Sequence, residues 1–375
     1  MSGTIKLGDA ATYINGYAFK PEDRGDEGLP IIRIQDLTGN AYDLGFYNGE
    51  YPKKIEINDG DVLISWSASL GVYVWNRGKA LLNQHIFKVV FDKAKINKEY
   101  FVYAVRRKLV EMASKTHGAT MKHIVKKDFD TTEIPYPEMN RQLEIANTLD
   151  KVSYVIEARK KELEELDNLV KSRFVEMFGD TVLNPFGWEK DSLGSVCDVR
   201  DGTHDSPKYY ETGYPLVTSK NVTGGKIDLT GCSLICEVDF NKINERSKVD
   251  SGDIIMPMIG TVGKPVIVDI EPDFAIKNVA LIKFRADSSV LNIYIRALLQ
   301  SDYFDDAVLS KVRGGTQKFI SLGDIRKLEI LVPPMDIQKQ FVEFVKQVDK
   351  LKVEVQKSLD ETQQLMDSLM QKYFG

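Results

Sequence analysis

Apolar and polar positions along the chain follow two patterns that alternate twice. In the first, short β-type runs such as Asp61-Val62-Leu63-Ile64-Ser65, Ile86-Phe87-Lys88-Val89-Val90-Phe91 and Val266-Ile267-Val268-Asp269-Ile270 are broken by Gly, Pro and Asn. Helical stretches at 98–114 and 290–300 lie among them, which predicts mixed α+β globules. Pro135-Tyr136-Pro137 and Pro333-Pro334 end the extended pattern, and the period then changes. Leu149, Val152, Ile156, Leu163, Leu166 and Val170 follow steps of 3 and 4, with Arg159 at the polar position of this seam. In the later stretch Phe344, Val348, Leu351, Val355, polar Ser358 and Thr362, then Leu365 and Leu369 repeat the pattern. Neither Pro nor Gly occurs within 141–178 or 336–374, so two long helices are expected, each a rod of roughly 50 Å at ~1.5 Å per residue. Unbroken seams of this length favour mutual pairing over two separate amphipathic core helices.

The alternation reflects a tandem repeat. Leu169, Ser172, Phe178 and Gly179 match Leu365, Ser368, Phe374 and Gly375 at an offset of 196 residues. The same offset aligns Thr120-Met121-Lys122-His123-Ile124 with Thr316-Gln317-Lys318-Phe319-Ile320, Pro137 with Pro333, and Gln142 with Gln338. Leu29-Pro30-Ile31-Ile32-Arg33 echoes Tyr214-Pro215-Leu216-Val217-Thr218, and Gly60-Asp61-Val62-Leu63 echoes Gly252-Asp253-Ile254-Ile255, at shorter offsets. Loops therefore differ in length within one frame. The expected architecture is a first globule at 1–139, a helix at 140–179, a second globule at 180–334 and a second helix at 335–375. If the helices pair antiparallel, a pseudo-twofold axis relates the halves. Such a body suits a long ligand touched at two patches, and half-sites about one DNA turn, ~34 Å, apart would match it.

Charge complicates a DNA-binding reading. The net charge is −5 and the pI about 5.6. Residues 1–139 hold 19 Lys+Arg against 18 Asp+Glu, and residues 180–334 hold 18 against 22. Neither globule is a basic arm, so something else must supply much of any phosphate clamp. No apolar run reaches membrane-spanning length and Met1–Lys6 lacks a signal pattern, so a cytoplasmic location is expected. Cys197, Cys232 and Cys236 suit a reducing compartment, and the last two are expected as small buried apolar residues instead of a zinc site.

Catalytic chemistry is hard to find. Gly260-Thr-Val-Gly-Lys264 lacks phosphate-loop spacing and is followed by Pro265. Asn184-Pro185-Phe186 lacks the second Pro of the amino-methyltransferase tetrapeptide, and no Gly-rich cofactor loop follows a strand. His85, His117, His123 and His204 show no metal-ligand spacing. Side chains suited to reading base edges are present on loops. In the first half these are Asn15, Tyr17, Arg33, Gln35, Ser67, Ser69, His117, Thr120 and Lys122. In the second half they are Thr203, His204, Ser206, Lys208, Tyr209, Thr218, Lys220, Asn221, Thr261, Lys264, Arg313 and Gln317. Phe19, Trp66 and Trp75 read as core aromatics, and Trp188 as packing at the junction between repeats.

Essentially the whole chain resembles the specificity subunits of type I restriction-modification systems. The resemblance rests on Gly28-Leu-Pro-Ile-Ile-Arg-Ile-Gln35, Gly60-Asp-Val-Leu-Ile-Ser-Trp-Ser67, Leu82-Asn-Gln-His-Ile-Phe87, Asp201-Gly-Thr-His-Asp-Ser-Pro-Lys208, Ile259-Gly-Thr-Val-Gly-Lys264 and Pro333-Pro-Met-Asp-Ile-Gln338. The junction from Phe178-Gly179 to Asn184-Pro-Phe-Gly-Trp188 also carries it. It implies an α+β tandem repeat of two target-recognition domains, each followed by a spacer helix, with the helices pairing as an antiparallel coiled coil. It further implies a non-catalytic subunit that reads a bipartite, asymmetric DNA site. Two modification (methyltransferase) subunits would carry S-adenosylmethionine and methylate adenine N6. Restriction subunits, using ATP and Mg, would cleave unmodified DNA. A protein-interaction scaffold without its own readout is the alternative, but it leaves two loop-rich globules with differing loops unexplained.

Overall fold

A computed structural model describes residues 3–39, 45–115, 124–259, 263–308 and 319–375. In chain order its strands are β1 (Gly3–Lys6), β2 (Thr12–Asn15), β3 (Leu29–Ile32), β4 (Gly45–Tyr47), β5 (Glu56–Ile57), β6 (Val62–Ser65), β7 (Gly71–Val74), β8 (Ala80–Leu82), β9 (Ile86–Val90) and β10 (Glu133–Tyr136), then β11 (Glu189–Ser192), β12 (Asp198–Asp201), β13 (Tyr214–Val217), β14 (Val222–Thr223), β15 (Lys226–Ile227), β16 (Ser233–Ile235), β17 (Ile254–Pro257), β18 (Val266–Ile267), β19 (Ala275–Ile276), β20 (Val279–Lys283) and β21 (Glu329–Val332). The helices are α1 (Leu7–Ala10), α2 (Ile34–Thr38), α3 (Lys98–Lys115), α4 (Lys126–Thr131), α5 (Met139–Phe178), α6 (Leu193–Val196), α7 (Glu237–Ser247), α8 (Asn292–Leu298), α9 (Asp302–Ala307), α10 (Leu322–Arg326) and α11 (Met335–Phe374). The expected long helices are α5 and α11, each of 40 residues.

Contacts divide the chain into two compact units, Met1–Arg159 with Ser358–Gly375, and Lys160–Lys357. The sequence pattern cuts the chain at the ends of the helices; the contacts cut it within them.

In the first unit, β2-β9-β6-β7 form an antiparallel sheet, and β4-β3-β8-β5 form a second in which β3 and β8 run parallel. The unbroken apolar run of β6 follows from burial on both faces: Val62 and Ile64 join one core and Leu63 another. The first core also holds Tyr100, Phe101 and Phe129, with Leu149 and Ile156 from α5 and Met366, Met370 and Phe374 from α11.

The second unit repeats this frame. Its sheets are β12-β20-β17-β18 and β16-β13-β19, with β13 and β19 parallel. Ile254 and Met256 of β17 face one core and Ile255 another. Phe174 and Phe178 of α5 pack on Phe341 of α11, with ring centroids 5.7 and 5.3 Å apart. Farther along the same pair, Lys352 Nζ bonds Asp167 Oδ1 at 2.5 Å, so within this unit the two helices run antiparallel.

Two polar side chains lock both units alike. Gln142 and Gln338 are buried. Gln142 accepts from Asn97 N–H at 2.9 Å and donates to Pro137 C=O at 2.8 Å. Gln338 accepts from Leu291 N–H and donates to Pro333 C=O, both at 2.8 Å. Each ties the start of its long helix to the loop before α3 or α8. A lysine–aspartate pair also recurs, Lys88–Asp61 at 2.7 Å and Lys283–Asp253 at 2.6 Å.

The seam of α5 matches the expectation: Leu149 and Ile156 are buried, and Val152, Leu163, Leu166 and Val170 are half-buried. The seam of α11 needs correction. Leu351 and Leu365 are each 50% exposed, while Val345, Val348, Val355, Met366 and Met370 are buried. The buried face instead steps through 345, 348, 352, 355, 359, 362, 366 and 369, shared at 348, 355, 362 and 369 with the expected one but rotated between. Lys352 hides the true seam because its methylene stem lies inward while its ammonium reaches Asp167. The cysteine expectation also changes. Cys197 is buried, with burial pushing its thiol up to about 12, whereas Cys232 and Cys236 are only half-buried. Among the described residues no helix is long and apolar enough to cross a membrane.

Candidate nucleic-acid interface

Strand register brings many of the candidate readers to one end of each unit's sheets. In the first unit, Asn15 pairs with Phe87, Ser65 with Ile86 and Ile32 with Leu82. In the second unit, Asp201 pairs with Ala280, Pro257 with Val279 and Val217 with Ile276. A glycine then crosses the turn ahead of the central strand in both units. A Cβ on Gly16 would lie 2.0 Å from Asn83 O, and one on Gly202 2.3 Å from Ile276 O, so no side chain fits. The same main-chain bonds follow: Tyr17 N to Leu82 O at 2.8 Å, and Thr203 N to Ile276 O at 3.0 Å. The turn residues His85 and Asn278 have φ of 74° and 55°.

On this shared frame the side chains differ. In the first unit Asn15, Tyr17, Gln35 and Ser69 are exposed. Tyr17 lies edge-on to buried Phe19, at 5.0 Å. Arg33 is held by Asp36 at 3.3 Å, with its own N–H bonded to the same carboxylate at 2.8 Å, so it belongs to the cap of α2. Ser67 is buried, unlike the other described candidates of this unit. Trp75 and Phe19 are core aromatics as expected, and Trp66 stacks on Phe87 at 5.6 Å.

In the second unit His204, Ser206, Lys208, Tyr209, Lys220 and Lys264 are exposed, and Thr203 is half-buried. The Lys208 ammonium lies 5.5 Å from the ring centroid of Tyr210. Thr218 and Asn221 form a capping box, Asn221 Oδ1 accepting from Thr218 N–H and Oγ1 at 3.0 and 2.9 Å. They are therefore turn chemistry first. His204 Nε2 lies 2.8 Å from Asp201 Oδ2 and its Nδ1 2.8 Å from Asn278 Oδ1. The bond to Asn278, then that to Asp201, raises the imidazole above its ordinary range. Arg246 of α7 donates to the other Asp201 oxygen. A cavity of about 330 Å³ opens between the loop 202–207 and α7.

His117, Thr120, Lys122, Thr261, Arg313 and Gln317 lie outside the described residues. Sequence reasoning missed Lys242, Arg246, Lys277 and Asn278. Arg246 and Lys242 sit on a helix whose polar residues look like a solvated face, and only the fold turns them toward the loop after β12. Trp188 does pack the junction: its Nε1 donates to Phe178 O at 3.2 Å.

The comparisons with known proteins agree with this repeated frame. The type I restriction enzyme EcoBI specificity subunit of Escherichia coli is 24% identical over 407 residues, covering 99% of this chain and 85% of that one. The MjaVIII specificity subunit of Methanocaldococcus jannaschii is 25% identical over 370 residues, covering 92% and 86%. The crystal structure of a type I restriction-modification S subunit from M. genitalium superposes with a TM-score of 0.54 at 16% identity, over 100% of this chain and 96% of that one, so the fold is shared. The model of the type I restriction modification DNA specificity domain matches residues 2–168 and again 185–364. With both halves matched, the chain belongs to the type I restriction-modification DNA specificity family.

Proposed function

We propose that this chain is the DNA-reading, non-catalytic subunit of a type I restriction-modification enzyme. The observation that carries this reading is one backbone frame built twice with different chemistry at the same place: Tyr17 and Gln35 in one unit, Thr203 and Lys220 in the other. Base contacts depend on donor and acceptor identity, so two such sites read two different half-sites. Two modification subunits and the restriction subunits assemble on the chain. S-adenosylmethionine, ATP and Mg belong to those partners, as do adenine-N6 methylation and cleavage. The near balance of charge in each globule makes the partners necessary for tight binding, because phosphate contacts need Lys and Arg. A gel shift of the chain alone and with its modification subunits tests this. Weak, unspecific binding alone and sharp gain on assembly are expected. Nanomolar sequence-specific binding by the isolated chain would refute the need for partners. No sequence preference even in the assembly would refute the reading itself.

A further inference from the structure

We propose that Arg246 reads a guanine edge in the half-site contacted by the second unit, and that Asp201, His204 and Asn278 are the positioning residues that aim it. This rests on the reading of the chain as a DNA-binding subunit.

Arg246 stands on α7, which follows β16 in the second unit. Between β4 and β6 the first unit has only the turn Lys53–Ile55 and β5. The Arg246 side chain is 67% exposed and is paired at one nitrogen. One guanidinium nitrogen donates to Asp201 Oδ1, and the Asp201 side chain is only 9% exposed. The backbone of Arg246 is fixed as well, its carbonyl accepting from Arg200 Nη1 at 2.8 Å. Asp201 is in turn oriented by His204 at 2.8 Å, and His204 by Asn278 at 2.8 Å. The result is a chain of four side chains that orients a guanidinium fork with most of its donors unspent. Bidentate Arg to guanine O6 and N7 is the commonest base-specific contact, and a preorganised fork loses little entropy in making it.

The cavity beside the fork favours a base edge over a phosphate. Lys242 and Arg246 line it, but so do Asp205 and Asp239. Those carboxylates would repel a phosphate, whereas a mixture of donors and acceptors suits a base pair, which presents both. Ser206 is engaged by Lys277 Nζ at 2.7 Å, which holds the far wall of the loop.

The network is also sensitive to pH. His204 faces Asp201 from β12 and Asn278 from the turn between β19 and β20, and the Arg246 charge from α7 acts on it as well. Both ring nitrogens face acceptor oxygens, so only the imidazolium donates to both. Its proton affinity is raised in the fold. The full network is therefore present below the ordinary histidine value of about 6.5 and is lost as pH rises through the raised folded value.

The test uses the chain assembled with its modification subunits, on duplexes carrying the mapped methylation site and every single-base change in each half-site. Arg246→Ala should lose about 10- to 100-fold of discrimination at one G·C position of a single half-site and leave the other half-site unchanged. Arg246→Lys, which keeps the charge but not the fork, should lose discrimination at the same position. Asp201→Asn and His204→Ala should weaken that position only. Wild-type discrimination there should decline with rising pH, and His204→Ala should remove the decline. Assembly and melting measured alongside establish that the exposed Arg246 variants fold. Equal loss on all duplexes with a shallower salt dependence would make Arg246 a phosphate contact and overturn the proposal. Unchanged discrimination in Arg246→Ala, with wild type still selective, would overturn it alone. A wild-type assembly without selectivity would overturn it together with the reading it rests on.

Discussion

The rings of Tyr100 and Phe374 lie 5.3 Å apart, so the first unit is closed by a residue of the second repeat's helix. Phe178 meets Tyr294 in the same way at 4.7 Å. In both units the tyrosine hydroxyl then donates to the strand before the long helix, Tyr100 to Pro135 O at 2.9 Å and Tyr294 to Leu331 O at 2.8 Å. Phe374 is 1% exposed. Phe374→Ala should therefore cost about 3–5 kcal/mol, the range for emptying a buried phenyl site. Hydrogen exchange resolved by segment should place the loss in β1–β10 and spare β12–β20. A loss spread evenly over both units would contradict this.

Gln338 carries a different kind of strain when altered. Gln338→Leu is close in volume but orphans the Leu291 N–H and the Pro333 carbonyl. Each buried unsatisfied group costs about 1–3 kcal/mol, so at least ~2 kcal/mol of stability should be lost in urea titration. Gln338→Glu should fare better at low pH, where a protonated carboxyl still donates. A leucine variant as stable as wild type would mean that the amide is not the clamp described.

The corrected seam of α11 gives a paired comparison. Val345→Asp places a carboxylate among Phe341, Phe174 and their neighbours, and should cost several kcal/mol and impair assembly with partner subunits. Leu351→Asp changes a half-exposed site and should shift melting little. The reverse ranking would restore the seam read from leucines alone.

The target should be asymmetric. At matching places stand Tyr17 and Thr203, and Gln35 and Lys220. Methylation mapping in cells carrying the whole system should return a bipartite motif whose halves differ. A palindromic motif would contradict the assignment of reading to these loops.

Much of this fold is legible in the sequence, and for identifiable reasons. Short apolar runs such as Val62–Ser65, the breaks at Pro135 and Pro333, and the seam from Leu149 to Val170 are all local signals, and each becomes the element expected. The α11 seam misleads because Leu351 is the more apolar choice by composition, while packing selects the stem of Lys352. The reading site is legible only where loop position alone decides. Asn15, Tyr17, Thr203 and His204 lie beside strand ends, and strand-to-loop changes can be read locally. Arg33 and Asn221 look like readers but serve caps, because the Asp36 and Thr218 partners three residues away compete for them. Arg246 could not be found locally, since its meaning depends on Asp201, which belongs to a distant strand.

The contribution of Met366, Met370 and Phe374 to the first unit's core has a consequence for biosynthesis. A ribosome delivers residues 1–159 first, yet their core lacks part of its lining until residues 358–375 emerge. The second unit, Lys160–Lys357, is continuous and complete before then. The half made later can thus settle earlier, and the half made first waits with apolar surface uncovered, in the state most open to chaperones and proteases.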